Sequence, residues 1–294
     1  MTSLDLVRLT PLVERTSGRA DVTIGLIDGP VAIGHPDLAS PHVREIAGNE
    51  SGTCTRGNSI ACLHGTFVAG ILCAKRGSAA PALCPGCTLL VRPIFTEVQT
   101  GNDAIPSATP EELAQAVLDC VGAGARVLNV SAAIARPTAR SEHRLAAALD
   151  HAARRGVIVI VAAGNQGTLG STAITRHPWV VPVAAYDRHG RPMDHSNLGS
   201  SIGRRGLGAP GDRITSLGAE GQALTLSGTS AATPFVTGAV ALLWSEFPNA
   251  AAAEIKAAIA QPYFRRRNSV IPPLLDAWTS YQYLHALSPR RKLA

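Results

Sequence analysis

The sequence predicts an α/β fold: a three-layer arrangement in which a parallel sheet carries helices on both faces. Three observations predict it. Strand-like and helix-like segments alternate, the order that gives parallel strands joined by helical crossovers. Two runs, 22–27 (VTIGLI) and 157–162 (VIVIVA), read as buried strands, the second apolar at every position, as a strand covered on both faces must be. The chain has 294 residues, 46% hydrophobic and 16% charged, which builds one large core without disulfide staples.

In chain order, the first strand is predicted at 22–27 and an apolar helix at 64–75 (HGTFVAGILCAK), ending near Gly77. A strand follows at 88–92 (TLLVR). Thr109-Pro110-Glu111-Glu112 signals a helix start, because Thr caps, Pro fits the first position and Glu112 reaches back to the cap. That helix runs to Val121, where Gly122 and Gly124 stop it. A strand at 126–130 precedes a helix at 141–155 ended by Gly156, and then comes the strand at 157–162. The strand at 180–184 is predicted to be weaker, since Pro182 has no N–H for a ladder. A long helix of small residues covers 229–246, and 29–59, 77–87, 99–110 and 196–228 read as loops. The organisation expected is an N-terminal extension (1–20), one domain (21–284) and a basic tail (285–294).

Composition excludes several classes. No stretch approaches the ~20 apolar residues of a membrane span. The formal net charge is +6, partly from Arg265, Arg266 and Arg267 and from Arg290, Arg291 and Lys292. With aromatics at only 4%, these clusters read as solvated surface, and neither nucleic acid nor membrane is expected as a partner. Residues 1–20 contain Asp5, Arg8, Glu14, Arg15 and Arg19 and lack the apolar centre of a secretory signal, so a cytoplasmic location is expected. There the six cysteines, 54, 62, 73, 84, 87 and 120, should mostly be thiols. Cys84-Pro85-Gly86-Cys87 has no second CxxC to complete a zinc site and precedes a strand instead of opening a helix after one. A structural role is expected for it, with disulfides to other cysteines left open, and Cys62 reads as a bystander.

Four polar residues stand where open α/β sheets place their sites, beyond the carboxyl ends of strands. Asp28 follows the first strand, His64 opens a helix, Asn165 follows the strand at 157–162, and Ser230 opens the long helix within Ser227-Gly228-Thr229-Ser230. Singly, each reads as a turn or capping residue. Jointly they supply a hydroxyl nucleophile, an imidazole to take its proton, a carboxylate to fix the imidazole tautomer, and a donor for a developing oxyanion.

The segments VTIGLIDG (22–29), HGTFVAG (64–70), VIVIVAAGN (157–165), LGAPG (207–211) and SGTSAATPFVTGAVALL (227–243) resemble the subtilisin-like serine proteases, in that family's order Asp, His, Ser. The resemblance implies a subtilisin-like fold, Asp28, His64 and Ser230 as catalytic residues, Asn165 in the oxyanion hole, and substrate-binding positions at Ser131, Ala132, Ala133, Ala163 and Gly164. Asp28-Gly29-Pro30, with CTLLVRPIF (87–95) and IPPLLDAW (271–278), is similar in particular to proteases that mature cyanobactins, patellamide-type peptides. That similarity implies a precursor peptide as substrate and leader removal as the reaction. No room for the lid of the macrocyclising branch is evident between Asp28 and His64. A general degradative subtilase and a leader-binding pseudoprotease are the alternatives. Ala133 and Ile134 replace two glycines of the family's substrate strand, which implies a narrowed P1 pocket. No cofactor is expected: Asp37 matches one calcium-ligand position of the family, but 75–83 lacks the oxygen-rich run that calcium needs.

Overall fold

The computed structural model describes residues 2–38, 40–46, 53–95, 97, 107–131, 133–134, 139–260 and 268–291. The strands are β1 (Thr23–Asp28), β2 (Val43–Glu45), β3 (Thr88–Pro93), β4 (Ser107–Ala108), β5 (Val127–Val130), β6 (Ala133–Ile134), β7 (Ile158–Ala162), β8 (Val181–Tyr186), β9 (Leu207–Pro210), β10 (Ile214–Leu217) and β11 (Ala223–Leu226). The helices are α1 (Ser3–Leu6), α2 (Thr10–Arg15), α3 (Ile60–Cys73), α4 (Pro110–Gly122), α5 (Ala139–Arg154), α6 (Ala173–Arg176), α7 (Ser200–Arg205), α8 (Thr229–Glu246), α9 (Ala252–Ala260) and α10 (Ala277–Arg291).

Seven strands form one parallel sheet in the order β2-β3-β1-β5-β7-β8-β9. Alternate side chains serve opposite cores. Ile24, Leu26, Val127, Ile158 and Ile160 join α3 and α8 on one face. Ile27, Leu128, Val130, Val159 and Val161 join α4 and α5 on the other. Because the central strands β1, β5 and β7 are parallel neighbours, Asp28, Ser131 and the turn at 163–165 all emerge at the same edge of the sheet. Helices α3 and α8 begin on that side, so their first residues meet the strand ends.

The expected α/β fold is the observed one, with differences in detail. The capping box of Thr109 and Glu112 starts α4 as the sequence predicts. Helix α3 begins earlier than predicted, at Ile60, because Ser59 caps it by accepting from Cys62 N–H. β8 is a full central strand despite Pro182, which pairs with Val161 at the cost of one ladder donor. The segment 196–228, expected as loop, contains α7, β9 and the antiparallel β10–β11 pair. The expected extension 1–20 folds into the domain: Val7, Leu9 and Leu12 are fully buried in the α3–α8 core, and Ala277 N–H donates to Val7 O. The boundary at residue 284 falls inside α10, so the residues just beyond it continue that helix. Arg265, Arg266, Arg267 and Lys292 lie outside the described residues.

Among the cysteines, Cys54 and Cys62 form a disulfide, whereas Cys73, Cys84, Cys87 and Cys120 are buried thiols. Cys62 is therefore bonded instead of a bystander, and the Cys84/Cys87 pair makes no disulfide. No helix among the described residues is long and apolar enough to cross a membrane.

Candidate active site

Asp28 closes β1 and is fully buried. Its Oδ1 lies 2.6 Å from His64 Nδ1 and accepts from Gly29 N–H at 2.6 Å. Its Oδ2 is buried and has no hydrogen-bond partner among the described residues. The aspartate reaches the imidazole because β1 and α3 touch backbone to backbone. A Cβ on Gly29 would stand 2.0 Å from Ala61 O, and one on Gly65 would stand 2.4 Å from Pro30 O. Glycine is the only residue that fits both sides of this contact, which explains why Gly follows the aspartate here.

His64 sits in the second turn of α3 with its side chain 26% exposed. Burial pushes its pKa down, but the Asp28 charge and hydrogen bond outweigh burial and leave it above the ordinary histidine value of 6.5. With Nδ1 facing the carboxylate, the proton of the neutral ring belongs on Nδ1 and the lone pair on Nε2. Nε2 is thus the atom free to accept a proton.

Ser230 is the second residue of α8 and half-buried. Among the described residues no hydrogen bond joins it to His64. In unliganded sites such bonds are often long and tighten when substrate binds. Gly228, at φ 136°, turns the chain into the helix. The same position brings the helix start against Asn165, whose Nδ2 would stand 2.9 Å from a Cβ there. Pro234 has no N–H for the carbonyl of Ser230 one turn earlier.

Asn165 is exposed on the turn after β7. Its Oδ1 accepts from Thr229 N–H (2.8 Å) and from Thr229 Oγ1 (3.0 Å). Two donors on one oxygen fix the orientation of the amide, so Nδ2 turns away from Thr229 with its N–H groups free to donate. Thr229 Oγ1 also accepts from Gly164 N–H at 3.1 Å, which locks this turn onto the residue preceding Ser230. Sequence reading overlooked Thr229, although its place between Gly228 and Ser230 was the available signal.

The five expected substrate-binding positions fare differently. Ser131 is buried; its Oγ accepts from Asn129 Nδ2 (3.0 Å), whose Oδ1 accepts in turn from Thr237 Oγ1 (2.9 Å). Ala163 is buried and Gly164 has φ 104°, and both carbonyls are engaged, Ala163 O by Asn197 Nδ2 (3.2 Å) and Gly164 O by Asn197 N–H (2.9 Å). Ala132 lies outside the described residues, as do the side chains of Ala133 and Ile134; the Ala133–Ile134 backbone pairs in parallel with Ser107–Ala108.

Beside His64, the chain ahead of α3 is clasped from two sides. The Cys54–Cys62 disulfide is one. The other is Glu97, whose carboxylate accepts from Thr55 N–H (2.9 Å), Arg56 N–H (3.0 Å), Ser59 Oγ (3.3 Å) and Thr55 Oγ1. Burial raises the Glu97 pKa, and these hydrogen bonds more than reverse it, holding the group below its usual range. At the calcium-ligand position expected from the resemblance, Lys75 N–H donates to Asp37 O (2.8 Å) and Lys75 Nζ to Pro36 O (2.6 Å).

The chain is 31% identical over 251 residues to a thermophilic serine proteinase of Bacillus sp. (strain AK1), covering 84% of this chain and 57% of that protein. It is 29% identical to subtilisin DY of Bacillus licheniformis, covering 81% of each. Among solved structures, the protease domain of PatA, in a mutant form, superposes with a TM-score of 0.79 at 28% identity, over 92% of this chain and 97% of that one. The prenylagaramide maturation protease PagA superposes at 0.78 with 25% identity, over 94% and 98%. The PatG macrocyclase domain, 19% identical with a TM-score of 0.77, shares the fold. The subtilase family, peptidase S8, matches residues 19–268, which contain every residue of the site described above, and the chain belongs to that family.

Proposed function

We infer that the chain is a serine endopeptidase that removes the leader from a ribosomally made precursor peptide. The observation that carries the chemistry is the buried Asp28–His64 contact at 2.6 Å, which leaves His64 Nε2 as the base. In this reading Ser230 Oγ attacks the scissile carbonyl and His64 Nε2 takes its proton. Charge on the carbonyl oxygen is met by Asn165 Nδ2 and the Ser230 N–H. His64 then returns the proton to the leaving amine, and water repeats the sequence on the acyl-Ser230 ester. Asp28, 2.6 Å from Nδ1, holds the ring in place and stabilises the imidazolium. Ser131, Ala163 and Gly164 are assigned to the peptide-binding wall, as the resemblance implies.

The precursor-peptide assignment is supported by the patellamide and prenylagaramide maturation proteases, whose structures superpose on 92% and 94% of this chain. The test is a cleavage profile on a diverse peptide library read by mass spectrometry, with Ser230→Ala as the control. A few sites sharing one motif are expected. Broad cleavage would make the enzyme degradative. Cleavage surviving in Ser230→Ala, or no fluorophosphonate adduct on Ser230, would end the nucleophile assignment.

A further inference from the structure

The turn that carries Asn165 is exposed from 165 to 170, yet it is held from beneath by one buried side chain that the reaction itself does not use. Asn197 is 8% exposed, and all of its side-chain polar groups are committed to this turn. Oδ1 accepts from Gln166 N–H (3.0 Å), Thr168 N–H (3.1 Å) and Thr168 Oγ1 (3.0 Å). Nδ2 donates to Ala163 O (3.2 Å) and Gln166 Oε1 (2.7 Å), and the Asn197 N–H donates to Gly164 O (2.9 Å). Residues 163, 164, 166 and 168 are thereby gripped on both sides of Asn165, while Asn165 itself is left out of the network. Asn197 is in turn referenced to the sheet. Its neighbour Ser196 is buried, with Oγ accepting from Ala185 N–H (2.9 Å) and donating to Ala185 O (3.2 Å) on β8. The adjacent strand is tied to the same frame by Ala163 N–H donating to Val183 O (2.9 Å).

We propose that Asn197 is a positioning residue for transition-state stabilisation: it sets the height and tilt of the Asn165 amide above Ser230. This rests on the reading of Asn165 as the oxyanion donor. Thr229 fixes the Oδ1 end of that amide and, through Gly164 N–H, one backbone point before it. The backbone from which the side chain springs is exposed; the outer part of the turn is tied to residues 195–198 by Gly167 N–H to His195 O (2.8 Å), Leu198 N–H to Thr168 O (3.0 Å) and Gly170 N–H to Leu198 O (2.8 Å), and the segment next to Asn165 is where the Asn197 side chain bonds. Asn197 adds rigidity on both sides of Asn165 with bonds whose directions are fixed by a planar amide. Its effect should therefore appear where the oxyanion forms and not where the peptide binds.

The experiment is a double-mutant cycle on kcat and KM, with active sites counted by fluorophosphonate titration so that only folded enzyme enters kcat. Asn197→Ala should lower kcat about tenfold with KM within about twofold, and in an Asn165→Ala background the same change should cost less than about twofold. Gln166→Leu, on the exposed side of the turn, removes one contact without opening the interior. It should show a smaller loss that likewise vanishes without Asn165. A peptide aldehyde, which forms an oxyanion on Ser230, should lose affinity in Asn197→Ala in parallel with kcat. Equal losses in the two backgrounds, or a loss confined to KM, would overturn the proposal and leave Asn165 in its role. An Asn165→Ala loss below about threefold would instead overturn the oxyanion reading on which the proposal rests.

Discussion

Gly29→Ser tests whether the close packing after β1 sets the site. Asp28 Oδ2 is a buried acceptor with no partner among the described residues, and a serine at position 29 would bring a hydroxyl next to it. On those grounds a hydroxyl at position 29 looks favourable. The packing opposes it. A Cβ there would lie 2.0 Å from Ala61 O and 2.7 Å from Ala61 C, whereas ordinary contact begins at 3.4 Å. The obstruction is helix backbone, not a side chain that can swing away, so the first turn of α3 must retreat by about 1.4 Å, and His64 is one turn further on. Overpacking of this kind costs about 1–3 kcal/mol, and a backbone wall places it at the upper end. At ~2.1 cal/mol/K of unfolding entropy per residue over 294 residues, about 3 kcal/mol lowers Tm by about 5 °C. Displacing His64 by an ångström from Asp28 and Ser230 lowers kcat/KM by about 100-fold. Thermal unfolding and peptide hydrolysis on wild type, Gly29→Ala and Gly29→Ser measure both effects. If Gly29→Ser kept its Tm within about 1 °C and its kcat/KM within about threefold, the close β1–α3 contact would not be what sets the site.

Asn165→Ala should lower kcat by about 100- to 1,000-fold with little change in KM, the cost of one lost oxyanion donor, read from steady-state kinetics. His64 must be neutral to act as a base and its pKa lies above 6.5, so kcat/KM should fall on the acid side through a pKa higher than that value. Asp28→Asn should move the limb down. For stability the sign is the opposite: the His64 contribution is full below 6.5 and fades as pH rises through the folded value, which urea midpoints across pH 5–9 would detect. Cys84 is pushed up by its contact with Cys73 and by burial, and Cys120 is pushed up by burial to about 12. Iodoacetamide at neutral pH should therefore label no thiol in the native protein and four after unfolding without reductant, and an alkylated Cys84 or Cys120 in the folded enzyme would contradict this burial.

What the sequence disclosed, and what it hid, follows from the range of the forces involved. β1 and β7 were legible because strands covered on both faces are mostly apolar along their length, and α4 because its capping box is complete within four residues. β9 reads as a turn, since Leu-Gly-Ala-Pro has a strand's burial and a loop's composition. The β10–β11 pair escaped because β11 is never fully buried and shows no apolar run. Pro182 misled in the same way: a proline costs a strand one donor, and the pairing of β8 with β7 and β9 on either side outweighs that loss. Asp28, Asn165 and Ser230 stood out because each lies at or next to the end of a strand or helix, where polar residues of these types are conspicuous, and His64 because it precedes the apolar run 67–72 inside α3, whose true start at Ile60 the pattern hid. Thr229 and Asn197 did not, because their partners are tertiary: Thr229 bonds a residue 64 positions away, and Asn197 bonds residues 29 to 34 positions away. Local pattern thus exposes the polar residues at the ends of elements. The residues that hold them are set by contacts made only after the sheet has brought β7, the segment at 196–197 and the start of α8 together.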